Sequence, residues 1–273
     1  MQCSKLIEIL EQLAPVKCAC DWDNVGLLVG RSKKEIKKVF IALDGDERAI
    51  EEAVQFGADL LLTHHPLIFK PVSRITDSDF IGERLIKLMK HDICCYAMHT
   101  NFDSAPGCMA DAAAGMLGLE KTQVLEQEGI IPFETPEGIK ELPYGIGKTG
   151  YLEHPMTVRE LAGLIKERFQ LPFVTIYGEQ DIKEPVTFVG ISPGAGSSMI
   201  KPALKAGVEV LITGDIGHHS GTDAAANHMA VIDAGHYGLE YLFLKFMEDF
   251  LKANAGEELE IDKAHVRFPE TFL

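Results

Sequence analysis

Residues 48–63 read RAIEEAVQFGADLLLT, and residues 198–213 read SMIKPALKAGVEVLIT. Aligned without a gap, the two share isoleucine, alanine, glycine, leucine and threonine at matching places. Each predicts a helix closed by a glycine, Gly57 or Gly207, and then an apolar strand. Glycine suits that place because the residue after a helix commonly turns left-handed. The match continues outward. Upstream, Val39-Phe40-Ile41-Ala42-Leu43 faces Phe188-Val189-Gly190-Ile191, a strand in each case. Downstream, Tyr96 to Asp103 faces Asp233 to Glu240, and each segment runs from an apolar strand into His-x-x-x-carboxylate (His99 and Asp103, His236 and Glu240). Three matched segments in one order indicate an internal duplication of strand–helix–strand–helix–strand. That order predicts an α/β fold of parallel or mixed sheets with helices on their faces.

The first copy runs through an alanine-rich helix around Asp111 to Leu117. A stretch with Gly129, Pro132, Pro136, Gly138 and Pro143 then reads as loop. Thr157-x-x-Glu160 is a capping box opening a helix to Phe169. We therefore expect one lobe over residues 1–125 and another over 126–273, with the option that the part carrying His236 and Glu240 packs back on the first.

The chain of 273 residues, 46% apolar and 25% charged, has the composition of an ordinary globular protein. No apolar run approaches the ~20 residues that span a bilayer. The segment Met1 to Pro15 reads as an amphipathic helix on Leu6, Ile7, Leu10 and Leu13, and Glu8 and Glu11 interrupt any signal-like core. A cytoplasmic location is expected. The net charge of −15 argues against general nucleic-acid binding. Lys33, Lys34, Lys37 and Lys38 form the densest basic patch, expected as a solvated face. The six cysteines show no C-x-x-C spacing and are expected as reduced, structural thiols.

The chemistry concentrates on histidines at strand ends, where α/β proteins gather ligands. Leu60-Leu61-Leu62-Thr63 reads as a buried strand stopped by Pro66, which puts His64 and His65 at its edge. Side chains alternate along an extended backbone, so the two imidazoles are expected to diverge and to reach one ion each. His236 and Glu240 fall one turn apart on a helix whose apolar continuation is Leu242, Phe243, Phe246, Met247 and Phe250. They either hold a metal or cap that helix. Imidazoles mixed with carboxylates suit zinc, iron or manganese rather than calcium. Thr213-Gly214-Asp215-Ile216-Gly217-His218-His219 stands where Thr63-His64-His65 stands in the other copy. Its histidines lie farther along the loop and are expected to contact substrate or the ligands rather than the ions. Gly145 to Gly150 resembles a phosphate-binding P-loop, but Leu142 occupies the place of its first glycine. Gly190 to Ser198 reads as a tight turn, with anion binding at its amides as the alternative.

Taken together, Leu13-Ala14-Pro15, Trp22-Asp23-Asn24-Val25-Gly26-Leu27, Thr63-His64-His65-Pro66, His99-Thr100-Asn101-Phe102-Asp103, Thr213-Gly214-Asp215 and Gly235-His236 through Glu240 resemble the Nif-three-like family, also known as the GTP cyclohydrolase 1 type 2 family. The likeness implies two interlinked α/β lobes and a toroidal homohexamer with metal sites facing an inner cavity. It implies two divalent ions per chain held by His64, His65, Asp103, His236 and Glu240, with His99 close by. It assigns no chemistry to Ala14-Pro15 or to Trp22 through Gly26. The function implied is a metal-dependent hydrolase: opening of a purine imidazole ring in GTP, or hydrolysis of another nucleotide or phosphoester. His99, or else His218 or His219, is the expected proton carrier. The rival reading is a non-enzymatic metal-binding scaffold, sensor or metal chaperone. No membrane partner is expected.

Overall fold

Strand and helix punctuation in this chain is local and strong, and the computed structural model, which describes residues 1–135, 137–256, 259–269 and 271, follows it closely. The elements in chain order are α1 (Cys3–Leu13), β1 (Gly26–Val29), β2 (Lys38–Ala42), α2 (Glu47–Phe56), β3 (Leu60–Thr63), α3 (Phe80–Lys90) and β4 (Cys94–Ala97). Next come α4 (Thr100–Ser104), α5 (Met109–Leu117), β5 (Glu120–Thr135), β6 (Gly138–Met156), α6 (Val158–Arg168) and β7 (Thr175–Tyr177). The remainder is β8 (Val186–Ala195), α7 (Ile200–Ala206), β9 (Val210–Gly214), α8 (His218–Ala226), β10 (Ala230–Asp233), α9 (His236–Glu240), α10 (Leu242–Asn254) and β11 (Glu260–Lys263). Gly57 and Gly207 end α2 and α7 in the left-handed conformation, at φ +75° and +78°. The capping box at Thr157 and Glu160 is formed.

The chain divides into two compact units. The first comprises Met1–Phe102 and Phe243–Arg267, the second Asp103–Leu242 and Phe268–Leu273. Among the described residues, the first unit carries a five-stranded mixed sheet in the order β1-β4-β3-β2-β11. Phe40, Ile50, Leu61, Leu85 and Cys95 pack one core of this unit. The second carries a six-stranded mixed sheet, β5-β6-β8-β9-β10-β7. Alternation along its central strands buries both faces. Val210, Ile212 and Ile232 meet Leu161, Ile165 and Phe169 on one side, and Leu211 and Val231 meet Ala203 and Ala224 on the other.

The duplication is plain in the strand order: β1-β4-β3-β2 in one sheet is matched by β7-β10-β9-β8 in the other, each with an antiparallel edge strand. Register corrects the downstream alignment by one residue. Thr63 lies opposite Ala97, and its counterpart Thr213 lies opposite Asp233. Ala97 therefore corresponds to Asp233, and the five-residue helix Thr100–Ser104 to His236–Glu240. His99 matches Gly235, the residue before the helix, rather than His236. The shared His-x-x-x-carboxylate spelling is not a structural equivalence.

Two other expectations change. The segment expected as loop is a long antiparallel ribbon, with Gly129 opposite Tyr144, Ile130 opposite Pro143 and Pro132 opposite Glu141. Proline is tolerated there because β5 is an edge strand and β6 pairs with β8 only from Lys148 onward, so a missing N–H need not break a ladder. Pro136 lies outside the described residues. Lys34 is not solvated: its side chain is 9% exposed and pairs with Asp59 at 3.4 Å. The P-loop-like stretch lies within β6. Distant in sequence, Cys3 and Cys94 meet as buried, hydrogen-bonded thiols, and that bond holds Cys94 down to about 6 while raising Cys3. No helix among the described residues is long and apolar enough to cross a membrane.

Candidate metal centre

In the first unit, β3 ends at Thr63, so His64 and His65 stand beyond the last strand residue. Strict alternation stops there, and the two side chains converge instead of diverging. Their ring centroids are 4.9 Å apart, and each lies within 5.5 Å of the His99 ring. One ring nitrogen from each of His64, His65 and His99 falls within 4.8 Å of the others, a group that could hold a metal ion. His64 is fully buried, wedged against Phe102 and Phe243 at 6.3 and 5.3 Å.

Each of these rings is fixed through Nδ1. His64 donates to the Met98 carbonyl at 2.7 Å, His65 to Asp44 Oδ1 at 2.8 Å and His99 to Asp23 Oδ1 at 2.9 Å. Because a carbonyl or carboxylate can only accept, Nδ1 carries the proton, and the Nε2 lone pair of each neutral ring is available to a metal. Asp23 has a buried side chain. Burial raises its pKa, but hydrogen bonds from His99 and from the Thr100 hydroxyl and amide outweigh burial and bring it to about 2. The motif that contains Asp23 carried no expected chemistry. Asp23 is the anchor of His99.

The second unit repeats the device. His236 Nδ1 donates to Asp215 Oδ2 at 2.8 Å, while its Nε2 lies 3.1 Å from Glu240 Oε2 one turn along α9. Glu240 is 2% exposed. Asp215 holds a left-handed backbone at φ +55°, a conformation that aspartate tolerates better than most residues. The segment expected as a tight turn is mostly strand: Gly190 to Ala195 belong to β8, whose pairing with β9 is irregular between Ile191 and Ala195. Gly194 there makes room for the carboxylate, since a Cβ on it would stand 2.5 Å from Glu240 Oε1. Asp103 is half-buried on α4. His218 and His219 are exposed and open α8, so they belong to a helix rather than to the loop expected of them.

The residues that sequence reasoning passed over are therefore Asp23, Asp44, Asp215 and Gly194. Asp44 stands past the end of β2 and Asp215 past the end of β9, strands that are not counterparts in the duplication, so the two carboxylates reach their histidines from different places and are visible only once the strands are known.

An α/β chain with imidazole and carboxylate donors fixed in this way has the makings of a metal-binding protein. The family model for Duf34/NIF3 (NGG1p interacting factor 3) matches residues 1–268, and the chain belongs to that family. A Clostridium perfringens protein named GTP cyclohydrolase 1 type 2 homolog is 35% identical over 260 residues, 95% of each chain. Among solved structures, a Bacillus cereus protein related to NIF3 superposes with a TM-score of 0.87 at 24% identity, covering 100% of this chain and 99% of that one. Reduced HcgD from Methanocaldococcus jannaschii superposes with a TM-score of 0.80 at 30% identity, with 98% of each chain covered.

Proposed function

We propose that this protein is a dinuclear metal-dependent hydrolase. Its ions, zinc, iron or manganese, are held by His64, His65, Asp103, His236 and Glu240. The observation that carries this reading is the Nδ1 anchoring of the three ligand histidines, His64, His65 and His236, which orients Nε2 for ligation. When bound, two such ions would supply Lewis-acid activation of water near neutral pH. The chain's own residues do the rest. Asp44 and Asp215 hold the rings of His65 and His236, and Glu240 offers buried negative charge to offset the cations. His99, steadied by Asp23, accepts a proton at Nε2 and passes it to the leaving group, and His219 offers a second, exposed carrier. The relatives' name supports a nucleotide substrate, with opening of a purine imidazole ring in GTP as the leading reaction and another phosphoester as its neighbour. A toroidal homohexamer in the cytoplasm completes the proposal.

Elemental analysis after reconstitution should give close to two ions per chain. Glu240→Gln should weaken both sites, and Asp44→Asn should lower metal affinity by about 10–100-fold. His99→Ala should keep the metal and lose turnover against a panel of nucleotides and generic phosphoesters. Tight metal binding with no turnover across that panel would replace the hydrolase with a scaffold, sensor or metal chaperone.

A further inference from the structure

The first unit contains a cavity of about 650 Å³ that His65 lines. That volume falls in the ~300–1,000 Å³ range of small-molecule sites and exceeds what water or a bare phosphate needs. Two aromatic rings line it and remain open to solvent, Phe69 at 50% and Phe80 at 61% exposure. At 62% exposure Trp22, the single tryptophan, packs edge-on against Phe69 at 5.9 Å and lies 6.1 Å from the His99 ring. Exposed aromatics gathered beside ligating histidines mark a binding surface, because scattered apolar residues need no such grouping.

The charged lining residues are mostly engaged. Asp46 and Asp79 accept the first-turn amides of α2 and α3, and Asp44 holds His65. Arg84 makes two hydrogen bonds to Glu47, at 3.1 and 2.7 Å, and lies over the Phe80 ring. Lys70 is exposed and has no ion-pair partner among the described residues. The cavity thus offers ring faces and one available cation.

We propose that this cavity binds a planar heteroaromatic anion of the mononucleotide class, with the ring against Phe69 and Phe80 and its phosphate on Lys70. The inference rests on the reading above in taking a nucleotide as the substrate class and His65 as a metal ligand, which would set the bound ring beside the ions.

The test uses the full chain and GMP as probe, with Trp22 emission and equilibrium dialysis as readouts, in metal-loaded and chelator-treated protein. GMP should bind and alter the emission, with ribose 5-phosphate at least tenfold weaker. Phe69→Ala and Phe80→Ala should each weaken GMP by about tenfold or more. Lys70→Gln should weaken GMP about tenfold and leave guanosine unchanged. Metal content should stay constant in all three variants, whose substituted side chains are exposed enough to leave the fold intact by circular dichroism. GMP affinity indifferent to the three variants, ribose 5-phosphate binding as tightly as GMP, or Trp22 emission answering to protein concentration instead of GMP would each overturn the proposal. The last result would mark the face as a contact between copies. The two readings separate cleanly. Protein that takes up no metal on reconstitution yet shows the GMP pattern keeps the cavity and removes the dinuclear centre, and two bound ions without GMP binding does the reverse.

Discussion

Replacing Gly194 by alanine tests whether the irregular end of β8 exists to seat Glu240. The backbone there has φ +79°, which costs an L-residue ~1–2 kcal/mol. The new methyl group would also stand 2.5 Å from Glu240 Oε1, well inside van der Waals contact. That carboxylate is 2% exposed and faces His236 Nε2 at 3.1 Å, so it cannot swing away without disturbing the pair. Overpacking of this kind costs ~1–3 kcal/mol. Gly207→Ala is the matched control, because its φ is +78° and nothing lies within 4 Å of the added Cβ. It should pay the backbone term alone. Urea denaturation followed by circular dichroism should therefore place Gly194→Ala about 1–3 kcal/mol below Gly207→Ala. Only Gly194→Ala should also lose metal. Equal stability losses with unchanged metal content in both variants would refute the reasoning.

Two further outcomes follow from local contacts. Asp23 titrates at about 2 in the folded chain against ~3.9 unfolded, so its contribution is complete above pH ~4 and is lost as pH falls towards ~2. Acid unfolding in chelator should lose about 2 kcal/mol across that window, and Asp23→Asn should flatten this part of the curve. Thr157→Ala removes the half of the α6 capping box in which the hydroxyl accepts the Glu160 amide, keeps the backbone amide that donates to the Glu160 carboxylate, and should cost about 1 kcal/mol in denaturant titration without changing metal content.

The sequence disclosed the elements whose signals are local. Leu60 to Thr63 forms the strand its apolar run predicts, Gly57 and Gly207 end their helices, and the His236–Glu240 helix starts where its apolar continuation places it. What it withheld depends on partners far along the chain. Asp44 meets a histidine 21 residues away, as does Asp215, and Asp23 meets one 76 residues away. No periodicity announces such pairs. The one-residue offset between His99 and His236 was hidden because identical spelling can slide along a strand end, where only hydrogen-bond register fixes the frame. The ribbon formed by β5 and β6 was hidden for the opposite reason. Its prolines and glycines are turn formers everywhere except on a strand with an open edge. The convergence of His64 and His65 depends on the strand ending at Thr63, a boundary finer than pattern reading resolves.

The first unit is discontinuous: the chain leaves it at Phe102 and returns at Phe243. The Asp103–Leu242 part of the second unit is thus an insertion, and an insertion is tolerated where its two ends can lie together. Here the ends are stapled, with the Phe102 and Phe243 rings crossing edge to face at 5.1 Å. During synthesis at ~5–20 residues per second the parent unit waits on the order of ten seconds for Phe243. It must then close around that aromatic pair. The imidazole of His64 packs on both rings of the staple, so any ion gripping His64 adds its binding energy to the joint itself. An ion held there would act as a latch on the seam of a split unit.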